Sequence, residues 1–329
     1  MSDASSAMPT PRMPAPCQRW VGALKLAVIV LVTLGIVYTV HSGWDQLSSY
    51  SWKVKPSWLL ISAALYLLGL LPVALFWRQI LRALGQRPTW CQTLRAYFLG
   101  HLGKYVPGKV MVVVIRAGAI GGDVNRPLAA VSVFLETLTM MAVGAFVSAA
   151  IVIGVFGWHH RLAWLAAGVL VVAGLPTLPP IFRTLVRRMP SHWLCEHNHV
   201  ALERITYRLM LQGWIAITIG WSLMGLSLWA TLRSLGTADL RWPADWPLAT
   251  AAVALATVVG FASLIPGGAG VRDWVLAALM ISRFGVATAL VSAFVLRMVW
   301  LVSELAISGI LYNVGKNDSS QKREQRQHP

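Results

Sequence analysis

Two short stretches interrupt apolar runs that otherwise have the length and composition of membrane-spanning helices. The later one reads Leu264-Ile265-Pro266-Gly267-Gly268-Ala269-Gly270-Val271-Arg272-Asp273. Pro266 removes a backbone donor and crowds the preceding turn, while Gly267, Gly268 and Gly270 let the chain turn where a side chain would obstruct it. At membrane depth the freed peptide groups must be buried in protein or line a wet cavity, because each costs several kcal/mol when it faces lipid. The stretch therefore predicts a broken helix beside a cavity. An earlier stretch, His101-Leu102-Gly103-Lys104-Tyr105-Val106-Pro107-Gly108-Lys109, has the same character and is followed by an apolar run and Arg116. Alone, each reads better as an ordinary loop with a Pro-Gly turn. Their recurrence, each with an arginine after it, points to a duplicated unit with a binding site near the bilayer midplane.

Hydrophobic residues make up 57% of the 329 and charged residues only 12%, which is too apolar for a soluble domain and too evenly so for a single anchor. The net charge of +16 sits in short loops between apolar runs. Positive-inside bias and anionic lipid headgroups account for it, and nucleic acid is not an expected partner. Cys17, Cys91 and Cys195 are widely spaced and form neither a disulfide framework nor a thiolate metal site. His192, Cys195, His197 and His199 share one loop, but their spacing fits no zinc pattern, and a solvated surface is the better reading.

The hydropathy pattern predicts an all-α polytopic membrane protein with about six spanning helices and two Pro-Gly re-entrant helix pairs. Residues 1–19 read as a disordered cytoplasmic tail, 20–312 as the transmembrane domain and 313–329 as a basic cytoplasmic tail. Crossings are expected near 20–40, 57–77, 127–156, 162–182, 209–232 and 286–312, the fourth kinked or cut short by Pro176, Pro179 and Pro180. Residues 183–208 read as a cytoplasmic loop, and Asp239 to Asp245 as part of an external one. Residues 90–122 read as a re-entrant pair from the cytoplasmic side and 247–283 as one from the outside. Helix directions in the two halves are then opposite, which makes an inverted repeat, the arrangement that supports alternating access.

The intramembrane ionisable groups are Lys104, Lys109, Arg116, Glu136, Arg272, Asp273, Arg297 and Glu304. Such groups are functional-site candidates by default. Glu136 reads either as one of these or as a side chain snorkelling toward the cytoplasmic surface. Arg272 and Asp273 diverge by about 100° on a helix and need separate partners, and Arg297 and Glu304 lie two turns apart, beyond direct pairing. Two roles are open to the arginines: gripping the phosphate of an anionic headgroup in bidentate fashion, or fastening helices to Glu136, Asp273 and Glu304. No hydrolase, metalloprotease, nucleotide or paired acidic metal motif occurs, so no catalytic residue, metal or cofactor is expected.

Gly103-Lys104-Tyr105-Val106-Pro107-Gly108 with Arg116, Phe134-Leu135-Glu136-Thr137, Pro266 to Asp273, and Arg297 together resemble the transmembrane family of lysylphosphatidylglycerol synthase. That family's flippase-like domain occurs alone or fused to an aminoacyl transferase. The resemblance covers roughly residues 55–312. The family often has Glu-Arg at the position of Glu136-Thr137 and Arg-Glu at that of Arg272-Asp273. It implies movement of a phospholipid or polyprenyl-phosphate-linked lipid across an inner membrane, or a supporting role beside a lipid-modifying enzyme or glycosyltransferase, without aminoacyl transfer; the alternatives are an integral-membrane enzyme on lipid substrates and a non-transporting scaffold for a synthase or glycosyltransferase. The implied substrate-binding residues are Lys104, Pro107, Gly108, Arg116, Glu136, Pro266, Gly267, Gly268, Gly270, Arg272, Asp273 and Arg297.

Overall fold

The structure, a computed structural model, describes residues 54–105, 110–121, 124–157, 159, 161–188, 201–237, 239–263, 268 and 270–327. The expected first crossing at 20–40, the amino-terminal tail and the His/Cys loop lie outside the described residues. Within them the chain is helical, with no strand: α1 (Pro56–Ala83), α2 (Trp90–His101), α3 (Val110–Ala119), α4 (Arg126–Phe156), α5 (Arg161–Gly174), α6 (Pro179–Arg187), α7 (Tyr207–Ser234), α8 (Asp245–Ala262), α9 (Val271–Phe284) and α10 (Val286–Gln327). Five helices, α1, α4, α7, α8 and the first 28 residues of α10, are long and apolar enough to cross a membrane. The sixth candidate is α5 with α6, bent by 68°. Its bend falls at a 3-10 turn, Leu175–Thr177, and Pro179 and Pro180 open the next helix, as the three prolines require. Helix α6 continues to Arg187, so the polar segment predicted from Arg183 begins as helix, and α10 runs well past Tyr312.

Local chemistry sets the helix starts. Thr89 accepts from the Gln92 amide while the Gln92 side chain accepts from Thr89, a reciprocal cap that starts α2. Asn125 caps α4 just ahead of Pro127, and Thr206 caps α7. Gly157 and Gly285, both at positive φ, end α4 and α9.

Helices α1 and α7 form the central seam. A Cβ on Gly220 would lie 2.7 Å from the carbonyl oxygen of Gly69, and one on Gly213 would lie 2.2 Å from the Phe76 ring, so the two backbones approach as closely as glycine permits. Farther along the same seam the buried Ser62 hydroxyl lies 2.8 Å from that of Ser227 and 2.9 Å from that of Thr231, and Trp300 of α10 donates to Ser227 at 3.0 Å. Such interhelical hydrogen bonds are each worth about 0.6 kcal/mol in a bilayer, so geometry and close packing carry most of the seam's stability.

Each break is flanked by two helices that pack on each other, α2 with α3 and α8 with α9. The two hairpins are unequal. Helices α2 and α3 have 12 and 10 residues, too short to cross, whereas α8 with 18 reaches about 27 Å and qualifies as a span alone.

Candidate functional site

Residues that flank the two breaks, together with Trp300 of α10, converge on one cavity of about 110 Å³. Its wall carries Tyr66, Lys104, Arg116, Glu136, Arg272 and Trp300 among apolar side chains. Helix α2 ends in a 3-10 turn, Leu102–Tyr105, which presents Lys104. Gly103 is buried there because a Cβ would lie 2.9 Å from the backbone nitrogen of Val112 on α3. Gly100 has a related role: a Cβ would lie 2.1 Å from Cγ of Arg116, so the arginine stem crosses α2 through the space glycine leaves.

On that path Arg116 donates to Glu136 at 2.6 Å, with both side chains almost fully buried (3% and 1% exposed). Its guanidinium also lies 4.1 Å from the Tyr97 ring centroid and 3.5 Å from Nδ1 of His101. Glu136 is therefore a buried partner on the cavity wall, not a side chain snorkelling to the surface.

The described residues beside the second break pack just as closely. Gly268 is at φ +65°, and a Cβ there would lie 2.9 Å from Cα of Gly260 on α8. Gly270, at φ +78°, donates its amide to Asp273 at 3.1 Å. Asp273 lies in the first turn of α9, where the helix dipole favours a carboxylate. It also accepts from Arg297 at 2.6 Å. Its neighbour Arg272 diverges from it, as helix geometry requires, and lies 4.6 Å from the centroid of the Trp300 ring.

The third ion pair joins Lys104 to Glu304, which also accepts from the Tyr66 hydroxyl. Glu304 is fully buried. Tyr66 stacks on Trp300, ring centroids 4.1 Å apart and planes 11° from parallel. Arg297 and Glu304 do not pair with each other; one reaches Asp273 and the other Lys104.

Of the residues expected at a site, Lys104, Arg116, Glu136 and Arg272 line the cavity directly. Asp273, Gly268 and Gly270 shape the second break, and Arg297 holds Asp273. Pro107, Gly108, Pro266, Gly267 and Lys109 lie outside the described residues. Tyr66, His101 and Trp300 join the site without having been singled out. A tyrosine and a tryptophan in apolar runs look like ordinary core aromatics, and only His101, beside the first break, carried a local signal. Glu304 is an ionisable group in an apolar run, yet nothing in the sequence connects it to Lys104, 200 positions away.

Three carboxylates, Glu136, Asp273 and Glu304, each engage one cation: Arg116, Arg297 and Lys104 respectively. Arg272 has no carboxylate at ion-pairing distance among the described residues, although it lines the cavity. A guanidinium in low-dielectric surroundings is stabilised by an anionic partner, and its planar fork suits phosphate oxygens. The cluster thus has one net positive charge facing a small space.

No curated protein matches the chain. The family model described as the lysylphosphatidylglycerol synthase TM region matches residues 22–307, a span that contains every cavity-lining residue named above. The chain therefore belongs to this membrane family, which is tied to the handling of membrane phospholipid.

Proposed function

We propose that the protein moves a lipid with an anionic phosphate headgroup between the leaflets of a bacterial-type inner membrane. The headgroup passes through the cavity between the two breaks, and the acyl chains stay in the surrounding bilayer. The observation that supports this reading most directly is Arg272: a cavity-lining cation left over when every nearby carboxylate has its own partner. Family membership supports the lipid part of the reading. In it, the α2–α3 and α8–α9 hairpins are re-entrant elements entering from opposite sides, unequal halves of an inverted repeat, and alternately open the cavity to each face. The lipid is moved without chemical change.

The test is reconstitution of purified protein into liposomes that contain a headgroup-labelled anionic phospholipid, followed by quenching with a membrane-impermeant reductant. Label in the inner leaflet should become accessible at a rate that depends on the protein. The same vesicles are extracted and the lipid analysed. Movement of intact lipid is the expected result. A chemically altered lipid would replace transport with an enzymatic reading, and unchanged accessibility would remove the transport reading altogether.

A further inference from the structure

Thr257, on α8, departs from a pattern that three other threonines of the spans keep. Thr139 of α4, Thr231 of α7 and Thr250 of α8 each donate their hydroxyl hydrogen to the carbonyl one turn back, at 2.7, 2.9 and 3.0 Å. This is the usual way for a helix to satisfy a threonine that has no other partner. The Thr257 hydroxyl oxygen is also buried, yet it has no hydrogen-bond partner among the described residues. A buried hydroxyl in that condition is costly, and a ligand is one of the few things that account for it. Thr257 lines the cavity.

Its neighbours on α8 show what stands beside it. Thr257 and Phe261, four residues apart, share one face of the helix, and both line the cavity. Gly260 lies on the same face, where a Cβ would be 3.1 Å from Cβ of Arg272 and 3.4 Å from Cα of Gly268. The first turn of α9 therefore rests directly on this face of α8. Arg272 is rooted about one helical turn from Thr257 and lines the same cavity, with no carboxylate at ion-pairing distance among the described residues. A guanidinium and a hydroxyl are thus brought together from the two arms of one hairpin. Both donate hydrogen bonds, and phosphate oxygens accept from both.

We propose that Thr257 is a headgroup-contacting residue: its hydroxyl donates to an oxygen of the phosphate that Arg272 holds, so that one phosphate joins α8 to α9 across the second break. The proposal rests on the anion-site reading above and adds the neutral half of the grip. The contact gives the hydroxyl the partner that α8 does not supply. The oxygen and methyl of a threonine exchange places by rotation about χ1 with little change of shape, so turning the hydroxyl to the ligand requires a rotamer change alone. The ligand chemistry this requires is a phosphate oxygen, which a lipid phosphodiester and a small free phosphodiester both offer.

The experiment titrates the full chain in detergent micelles with short-chain dihexanoyl-phosphatidylglycerol and, separately, with dimethyl phosphate. Calorimetry gives Kd, and melting temperature is measured on the same preparations. T257V keeps the shape of the side chain and removes the hydroxyl. It should weaken lipid binding about tenfold, the size of one hydrogen bond to a charged group. Its melting temperature without lipid should equal that of wild type or rise, because a polar group without a partner has been removed. T257S restores the hydroxyl and should bind within about threefold of wild type. Wild-type Kd in T257V overturns the contact, as does a loss of affinity matched by a loss of melting temperature, or one that T257S does not recover. R272A separates this inference from the reading it rests on. Weakened binding in R272A with wild-type binding in T257V removes the Thr257 contact alone. Wild-type binding in R272A, or a wild-type protein that binds neither ligand, removes the anion site as placed and the contact with it. Dimethyl phosphate bound at least as tightly as the lipid, and weakened equally by T257V, upholds the contact and gives it to a free phosphodiester, which removes the lipid from the proposed function.

Discussion

Arg297 and Asp273 lie 2.6 Å apart and join the middle of α10 to the first turn of α9, immediately after the second break. Asp273 is shared: the same oxygen, Oδ2, accepts from the Gly270 amide and from Arg297. The contact therefore fixes the geometry of the break as well as the distance between two helices. Arg297→Ala should lower the melting temperature in detergent, because Asp273 is left with one partner fewer. Asp273 keeps 31% of its side chain exposed, so the loss should stay below the ~3–5 kcal/mol typical of a fully buried pair. A D273N/R297Q double variant should recover most of it. Equal melting temperatures for wild type and Arg297→Ala would exclude this fastening role.

Arg272 should behave in the opposite way. It has no carboxylate partner to strand, so Arg272→Ala should leave the melting temperature within about 1 °C of wild type or raise it. Lipid movement in liposomes should fall at least tenfold, the equivalent of one lost charge-assisted contact of about 1.5 kcal/mol. Arg272→Lys keeps the charge but not the planar fork and should fall between the two. Parallel loss of stability and movement would place Arg272 among the fastening residues.

The Gly100 gap gives a test of the Arg116–Glu136 pair that leaves both charges in place. In Gly100→Ala the new methyl would occupy the space of the Arg116 stem, 2.1 Å from Cγ, and the guanidinium must withdraw from Glu136. Breaking a pair as buried as this one is expected to cost about 3–5 kcal/mol. In an R116M/E136Q background the same change should cost much less, since no ionic contact remains to be broken. Equal costs in the two backgrounds would show that the alanine acts by backbone crowding alone.

The proposed opposite entry of the two hairpins predicts which side each loop faces. On a cysteine-free background, a cysteine placed at Asp239 should react with an impermeant maleimide from the external side, and one at Gly122 from the cytoplasmic side. Reaction of the Asp239 position from the cytoplasm alone would end the inverted-repeat reading.

Much of this arrangement was legible in the sequence because it rests on short-range chemistry. Pro176, Pro179 and Pro180 implied the bend between α5 and α6, and the divergence of adjacent side chains implied separate partners for Arg272 and Asp273. Intramembrane charge singled out Arg116 and Glu136. Pairing was harder to read. Lys104 and Glu304 meet across 200 positions because α10 packs against α1 and α2, and no local pattern encodes that contact. The stack of Tyr66 on Trp300 was hidden for the same reason: a ring in an apolar run looks the same facing lipid, core or cavity. The unequal hairpins could be read only in part, since an apolar run reports where a helix can lie and not where hydrogen bonding stops.

The contact of Gly69 with Gly220 has a mechanical consequence for any protein that must open alternately to two sides. With a carbonyl oxygen of one helix against the Cα of the other, there is no side-chain layer to slide or tilt, and a shift of even 1 Å would collide or open a void. In the proposed transport cycle helices α1 and α7 act as a stator. The work of opening in that cycle falls on parts whose contacts are long polar side chains that can let go and re-form, which are the two hairpins and the three ion pairs of the cluster.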